Sequence, residues 1–442
     1  MNLKTFKLGG VHPPENKISE AAAIEKTALP KTIYVPVQQV LGAPSVPVLK
    51  KGDKVKTGQL IAKGEAFISA NVHSPATGTV AKVEEVTDTS GYRKLSVIID
   101  TEEDIWEDGI ITDGALAEEC SLSAEEIIEK VKAAGIVGLG GATFPTHVKL
   151  MVPPDKKAEI LIINGVECEP YLTSDHRLML EKGKEMIIGI RILMKALRVD
   201  KAVIGIENNK KDAVEHLQEL LKNDSQIKVQ ALKVKYPQGG EKQLIKAISG
   251  REVPSGKLPV EVGCVVQNVG TAYAVYEAVQ KNKPLIERVV TVTGNVSKPA
   301  NYMVRLGVPV SYLLELSGGI PESTGKIING GPMMGKALNS FDVPVSKGTS
   351  GIIVLPESQS KRSAEVNCIR CAKCIGVCPM GLEPFFLAQL AEVKDWEKSE
   401  ANKIMDCIEC GSCMYVCPSY RPLLDYIRMG KTNVGKIMRT RK

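Results

Sequence analysis

The sequence offers nothing that would carry it into a bilayer. No stretch approaches the ~18 uncharged apolar residues a membrane-spanning helix needs, and residues 1–10 lack the apolar run of a signal peptide. The expectation is a chain made and kept on the cytoplasmic side. Aromatic residues are only 4% of the total, too few for base-stacking platforms, so nucleic acid is not an expected ligand. The net charge of +6 over 442 residues is modest. Its visible concentration is the tail with Lys431, Lys436, Arg439, Arg441 and Lys442, read as a solvated, frayed end, with anionic lipid or an acidic partner as the other reading. Histidines number five and are scattered; His147 alone lies near a glycine-rich segment, where packing or a phosphate-side role is expected.

What the chain does have is cysteine in a pattern. Eight of its eleven cysteines form two runs, Cys368, Cys371, Cys374, Cys378-Pro379 and Cys407, Cys410, Cys413, Cys417-Pro418. Each is C-x2-C-x2-C-x3-C-P, the spacing with which bacterial ferredoxins wrap a [4Fe-4S] cluster, the fourth cysteine crossing to the other cluster. Three thiolates on a tight turn reach three corners of a cuboidal cluster, and one from elsewhere closes the fourth. Cys368, Cys371, Cys374 and Cys417 are thus assigned to one cluster, and Cys407, Cys410, Cys413 and Cys378 to the other. Structural zinc would leave the third spaced cysteine and the C-P ending unexplained. A disulfide framework does not suit a chain long enough to bury its own core. Cys120, Cys168 and Cys264 read as structural thiols.

The rest reads as a multidomain α/β protein. Residues 1–30 are an irregular lead-in. Residues 31–100 carry short alternating strands broken by Gly and Pro, and resemble a lipoyl/biotinyl-type barrel-sandwich hybrid. The hairpin tip that carries a modified lysine in that family is Ala66-Phe67-Ile68 here, so a structural copy without a swinging arm is expected. Residues 113–287 alternate helices and strands, the pattern of a parallel α/β layer. There Ser123 and Glu126 form a capping box for a helix running to Ala134, and residues 174–197 read as one long helix. Residues 288–345 return to short strands. Residues 365–425 form the cluster domain, followed by the basic tail, 426–442.

The segment Gly138-Leu139-Gly140-Gly141-Ala142-Thr143-Phe144-Pro145-Thr146 lets backbone N–H groups crowd a phosphate, but it follows a helix and lacks the G-x-G-x-x-G dinucleotide fingerprint. With Lys149 it resembles the flavin loop of the NADH-binding subunit of respiratory complex I and its hydrogenase relatives. Asn164-Gly165-Val166-Glu167-Cys168-Glu169-Pro170 resembles that family's N-G-D-E-G-E-P, Gly239-Gly240-Glu241 its C-G-E-E, and Gln267-Asn268-Val269-Gly270-Thr271 its N-N-V-E-T. The unit after Arg288 resembles its β-grasp (SLBB-like) module. Together with the barrel and the double-cluster tail, nearly the whole chain resembles the C subunits of Rnf electron-transport complexes.

The resemblance implies an FMN held by Gly138, Gly140, Gly141, Lys149, Asn164, Gly240, Glu241 and Asn268, with NADH near Phe144, Glu167 and Glu169. Lys149 suits the flavin phosphate, the asparagines suit ribityl or ring atoms, and carboxylates suit ribose hydroxyls, favouring NAD over NADP. Val166 and Lys242 depart from the pattern, which bears on the flavin's potential. The implied role is a peripheral electron-transfer subunit of a membrane-bound, ion-translocating ferredoxin:NAD+ oxidoreductase, with no catalytic side-chain acid or base. Its partners are the other Rnf-type subunits and NADH, with ferredoxin reached through a partner. A cobalamin reductase of similar plan and a non-catalytic relay subunit are the competing readings.

Overall fold

The computed structural model describes residues 3–441. Lys442 of the tail and the first two residues of the lead-in lie outside them. Near the N-terminus two small antiparallel sheets face each other. One runs in the order Thr32–Pro36, Arg93–Thr101, Gly78–Thr87, Lys54–Val55, the other Val46–Pro47, Leu60–Lys63, Val72–His73. Their inward β-branched positions, among them Ile33, Val35, Val80, Val97 and Ile99, are fully buried, as period-two alternation requires. The hairpin tip rests on the glycine-rich loop's neighbourhood. Leu41 N–H donates to the Thr143 carbonyl at 3.1 Å, and the Phe67 backbone lies near the His147 ring. At the place where a lipoyl arm would hang, this barrel braces a loop.

The second layer is a four-stranded parallel sheet ordered Ile227–Leu232, Ala202–Glu207, Ile160–Asn164, Cys264–Asn268. Helices Ala124–Ala133, Gly183–Leu197 and Val269–Lys281 close the hydrophobic core on one face, and Glu241–Ser249 covers the other. The first helix starts at the expected capping box, with Ser123 Oγ accepting from Glu126 N–H and the Glu126 carboxylate accepting from Ser123 N–H. The single long helix expected over residues 174–197 is two, Ser174–Glu181 and Gly183–Leu197. Lys182 leaves helical geometry at φ −127°, and Gly183 sits where a Cβ would come within 3.0 Å of Leu220 Cδ1, so the second helix turns in against the helix Lys211–Leu220.

The third sheet has six strands, ordered Ile24–Lys26, Ala300–Arg305, Glu287–Gly294, Gly351–Pro356, Thr324–Asn329, Lys336–Ala337. Two of these come from outside residues 288–345. Gly351–Pro356 sits centrally with five buried residues in a row, and the lead-in contributes an edge strand. Val290, Val292 and Val354 share one apolar core with Ile33 and Val35 of the barrel, so the two β units are fused by packing.

In the cluster domain each cysteine run feeds a four-residue helix, Lys373–Gly376 and Ser412–Tyr415. The expected frayed tail is instead the end of the 18-residue helix Leu423–Thr440. It buries Leu423, Leu424, Ile427 and Val434 beside the helix Pro384–Glu392, and two of the tail's cations find partners: Lys431 bonds Glu409 and the Cys407 carbonyl, and Arg441 bonds Glu400. Apolar residues three and four apart gave this helix a face to bury, which charge counting alone overlooks.

Candidate functional site

Parallel strands deliver their C-terminal ends to one edge, and a crevice there is the natural ligand site of an open α/β sheet. Asn164 and Asn268 end adjacent strands in register. Asn268 caps the helix Val269–Lys281 through Oδ1 to Gly270 N–H at 2.8 Å, while its amide donates to Asp175 at 2.7 Å. Asn164 donates to the Gly239 carbonyl at 2.9 Å, which draws in the Gly239-Gly240 turn and with it Glu241, the first residue of its helix. Lys149 Nζ meets Glu241 at 2.6 Å and the Val266 carbonyl at 3.2 Å. The glycine-rich loop closes this edge. Gly140 lies against Asn268, Gly138 N–H bonds the Phe144 carbonyl at 2.9 Å, and Leu139 N–H bonds Thr271. The structure thus brings Gly138, Gly140, Gly141, Phe144, Lys149, Asn164, Gly240, Glu241 and Asn268 to one rim.

The rim fits a flavin phosphate and ribityl chain. Gly141, at φ +112°, would point a Cβ into open space with nothing within 4 Å, so the backbone is bare where an anion would approach. The helix Glu241–Ser249 has no side-chain cap at its N-terminus, which favours negative charge, and Lys149 stands beside it. Thr146 Oγ1 and Gln267 Nε2 are buried nearby in sequence and lack partners among the described residues.

Glu167 and Glu169 are placed differently from the expectation of ribose contacts. The Glu167 carboxylate accepts from Asp175 N–H at 2.7 Å, His176 N–H at 3.1 Å and Ser174 Oγ, acting as the N-terminal anion of the helix Ser174–Glu181. Glu169 accepts from Met333 N–H at 3.0 Å and Met334 N–H at 2.8 Å, stapling the 164–170 loop to the third sheet. Both carboxylates are occupied within the chain. Lys17, from the lead-in, holds the same loop by donating to the carbonyls of Glu167, Glu169 and Leu172. Sequence reasoning missed Lys17, Asp175 and Arg288, whose guanidinium bonds the Leu139 and Lys347 carbonyls, because each acts over a long sequence separation.

Burial raises Glu169 from 4.5 to about 7, against the pull of the Met333 and Met334 amides. Burial first, then the Glu167 charge, brings Asp175 to about 7, and burial does the same for Glu207. Burial also holds His147 below its ordinary value, which fits a neutral packing role. Between the unfolded and folded values the folded chain keeps protons that the unfolded chain has released, so stability falls as pH rises and levels off above 7. Glu169→Gln keeps an acceptor for one of the two amides, which bond different carboxylate oxygens, and removes one of these protons. Urea unfolding from about pH 5.5 to 8 should show a shallower decline than wild type, by roughly one proton. An unchanged slope would place the proton elsewhere.

All eleven cysteines are unpaired. Cys378 of the first run lines one apolar cavity with Cys407, Cys410 and Cys413 of the second, together with Met380, Leu387 and Ile427. Cys374 lies close enough to Cys417 for their charges to interact, the other crossed pair. Among the described residues no three metal-ligating side chains converge tightly enough for a single ion. Burial pushes Cys407 up to about 11 and Cys413 higher, so thiolates at these positions would require a cationic partner.

The Cys407 set is the one pinned to the rest of the molecule. Tyr236 hydroxyl donates to the Cys410 carbonyl at 2.8 Å, Gln243 donates to the Pro379 carbonyl, and Gly411 lies against the Met333 carbonyl. Gln243 is two residues along the helix from Glu241 of the rim. The lead-in straps the same place, with Gly10 N–H on the Val377 carbonyl and Val11 paired with Tyr236. Gly9, at φ +67°, lies where a Cβ would stand 2.6 Å from the Cys378 backbone. Gly9→Ala should therefore cost roughly 1–2 kcal/mol in backbone strain alone, with steric displacement added. It should lower the melting temperature and loosen iron from this set first, as thermal unfolding followed by iron release would show.

Four family models match the chain: the RnfC barrel sandwich hybrid domain over residues 4–104, the Nuo51 FMN-binding domain over 131–277, the SLBB domain over 289–337, and a 4Fe-4S dicluster domain over 361–422. The chain is 46% identical over 439 residues to the C subunit of the Na(+)-translocating ferredoxin:NAD(+) oxidoreductase complex of Acetobacterium woodii, covering 98% of each. It is 46% identical to the proton-translocating counterpart of Clostridium ljungdahlii, covering 97% of this chain and 94% of the relative. It is 41% identical to the C subunit of an ion-translocating oxidoreductase complex of Haemophilus influenzae, covering 98% of this chain and 67% of the relative. Among solved structures, an NAD+-reducing [NiFe]-hydrogenase in the H2-reduced state aligns with a TM-score of 0.50 at 19% identity, over 71% of this chain and 63% of that one, a likeness of fold.

Proposed function

The chain belongs to the family of Rnf-type ion-translocating oxidoreductase C subunits, and from that premise we propose that its parallel-sheet rim holds FMN and accepts NAD(H) while its cysteine sets carry single electrons to partner subunits. The protein is an electron-transfer subunit of a ferredoxin:NAD+ oxidoreductase complex, with FMN, NAD(H) and two [4Fe-4S] clusters as its cofactors. When bound, FMN supplies the exchange between a hydride pair and single electrons, and the clusters supply one-electron steps.

The chain's own residues supply position. Lys149 neutralises phosphate beside an uncapped helix end, Gly138, Gly140 and Gly141 admit the anion to bare backbone, and Asn164 and Asn268 fix the floor of the crevice. Glu241 keeps Lys149 aimed at the rim. Phe144 flanks the face where a nicotinamide ring would stack. Glu167, Glu169 and Lys17 act one layer back, holding the 164–170 loop that forms one wall. No side chain at the rim is needed as a proton donor, since hydride transfer moves the proton's electrons with it.

Among the described residues no helix is long and apolar enough to cross a membrane. That supports a peripheral arm held by integral partners, and an NAD(H) substrate supports a position on the cytoplasmic face. The observation that carries the reading is the convergence of the glycine-rich loop, Lys149, Glu241 and both asparagines on one sheet edge, with the Cys407 set packed beside it. Anaerobic purification followed by FMN, iron and sulfide assays, and by bleaching with NADH against NADPH, tests it. Flavin that NADH leaves oxidised would overturn the NADH site.

A further inference from the structure

The two cysteine sets differ in what surrounds them. The Cys407 set is walled in by the barrel-proximal lead-in, Tyr236, Gln243 and Met333, whereas Cys371 of the other set is exposed. Exposed apolar side chains stand among the polar residues of this cysteine run. Ile369 is 67% exposed, Val366 53% and Tyr420 58%, and the Val366 N–H bond to the Ser419 carbonyl brings the last two together. Such a cluster of exposed large side chains marks an interaction site more often than chance would leave it.

The charges make the patch one-sided. The carboxylates near it are already taken: Glu365 and Glu392 by Arg421, both at 3.0 Å, and Asp425 by Arg362. Arg370 and Lys373, one on each side of Cys371, are exposed, and among the described residues neither side chain has an ionic or hydrogen-bonding partner. An apolar centre rimmed by two uncompensated cations is complementary to an apolar face rimmed by carboxylates.

Resting on the functional reading above, we propose that residues 366–373 with Tyr420 are the docking face for another subunit of the same complex, one that presents carboxylates around its own one-electron centre. One electron crosses: in the direction of NADH oxidation, the cluster held by Cys368, Cys371, Cys374 and Cys417 is oxidised and the partner's centre reduced, and no bond forms or breaks. The Cys407 set is the inner station and the Cys371 set the outer one. Tunnelling falls steeply with distance, so the exposed set is the one a partner can reach.

The test uses the whole complex carrying Arg370→Glu with Lys373→Glu, and separately Arg370→Gln with Lys373→Gln. NADH-driven reduction of the downstream subunit is followed by stopped flow at low and high ionic strength. The wild-type rate should fall as salt rises. The reversed pair should be slower by about 10-fold or more and lose its salt dependence, with the neutral pair between. Iron, flavin and the reduction of this chain's own centres should be unchanged in both. The proposal is overturned by wild-type rate and salt dependence in the reversed pair. It is equally overturned by loss of iron in both variants, or by slowing toward an added acidic 2[4Fe-4S] ferredoxin with subunit-to-subunit transfer intact. Failure of NADH to reduce the wild-type chain's own centres would instead sink the functional reading.

Discussion

Cys378→Ser and Cys410→Ser should produce the same defect although they lie in different runs: iron falls by about half, the same cluster signal disappears, and electrons from NADH stop at the flavin. Both thiols line one cavity with Cys407 and Cys413. A serine hydroxyl is a poorer ligand for iron than a thiolate, and removing one corner of four opens the cavity wall. Because this set is the one bonded to Tyr236 and Gln243, its loss breaks the chain of transfer at the first station. Cys371→Ser and Cys417→Ser should remove the other signal and leave the inner cluster reducible by NADH. Iron and sulfide analysis with paramagnetic resonance of the reduced proteins checks all four. Should Cys378→Ser instead group with Cys371→Ser, the clusters are built run by run and the crossed assignment is wrong.

Lys149→Ala should weaken FMN binding by about 10- to 100-fold, the equivalent of roughly 1.5–3 kcal/mol for a hydrogen bond to a charged group, while leaving iron content alone. Two effects add in the same direction. The variant loses the ammonium that would meet the phosphate, and it leaves Glu241, now without its 2.6 Å partner, facing the same anion. Lys149→Arg should recover part of the loss, and Glu241→Gln in the alanine background should recover some as well. Flavin fluorescence after ultrafiltration measures occupancy, and the iron assay on the same sample separates a flavin defect from misfolding. Loss of both cofactors together would mean that Lys149 holds the fold.

Much of this site was legible because its signals are local. The cysteine spacing, the capping box at Ser123 and the alternation of strands with helices from residue 123 onward each need only a few neighbouring residues to be recognised. The rim residues came from resemblance and fall together in space because two of them end adjacent parallel strands. What stayed hidden depends on distant partners. Glu167 and Glu169 look in the sequence like free loop carboxylates, yet one caps a helix seven to nine residues on and the other meets amides more than 160 residues away. The helix break at Lys182 follows from packing against Leu220, which no local pattern encodes. Gly9 and Gly10 read as punctuation in an irregular lead-in; their contacts with the Cys378 loop and with Lys235 and Tyr236 show why side chains are excluded there. The tail was misread because its five cations outweighed, to the eye, the apolar stripe beneath them.

Paired electrons enter at the sheet edge and leave singly through both cysteine sets in the function proposed above. Stepwise anaerobic addition of NADH to the intact chain, with visible absorbance and paramagnetic resonance read on each sample, tests this most directly. Flavin bleaching should be accompanied by reduction of two distinguishable [4Fe-4S] centres, the second only when the first is intact. Flavin bleaching with both centres left oxidised at excess NADH, or a preparation with zinc in place of iron and sulfide, would contradict it.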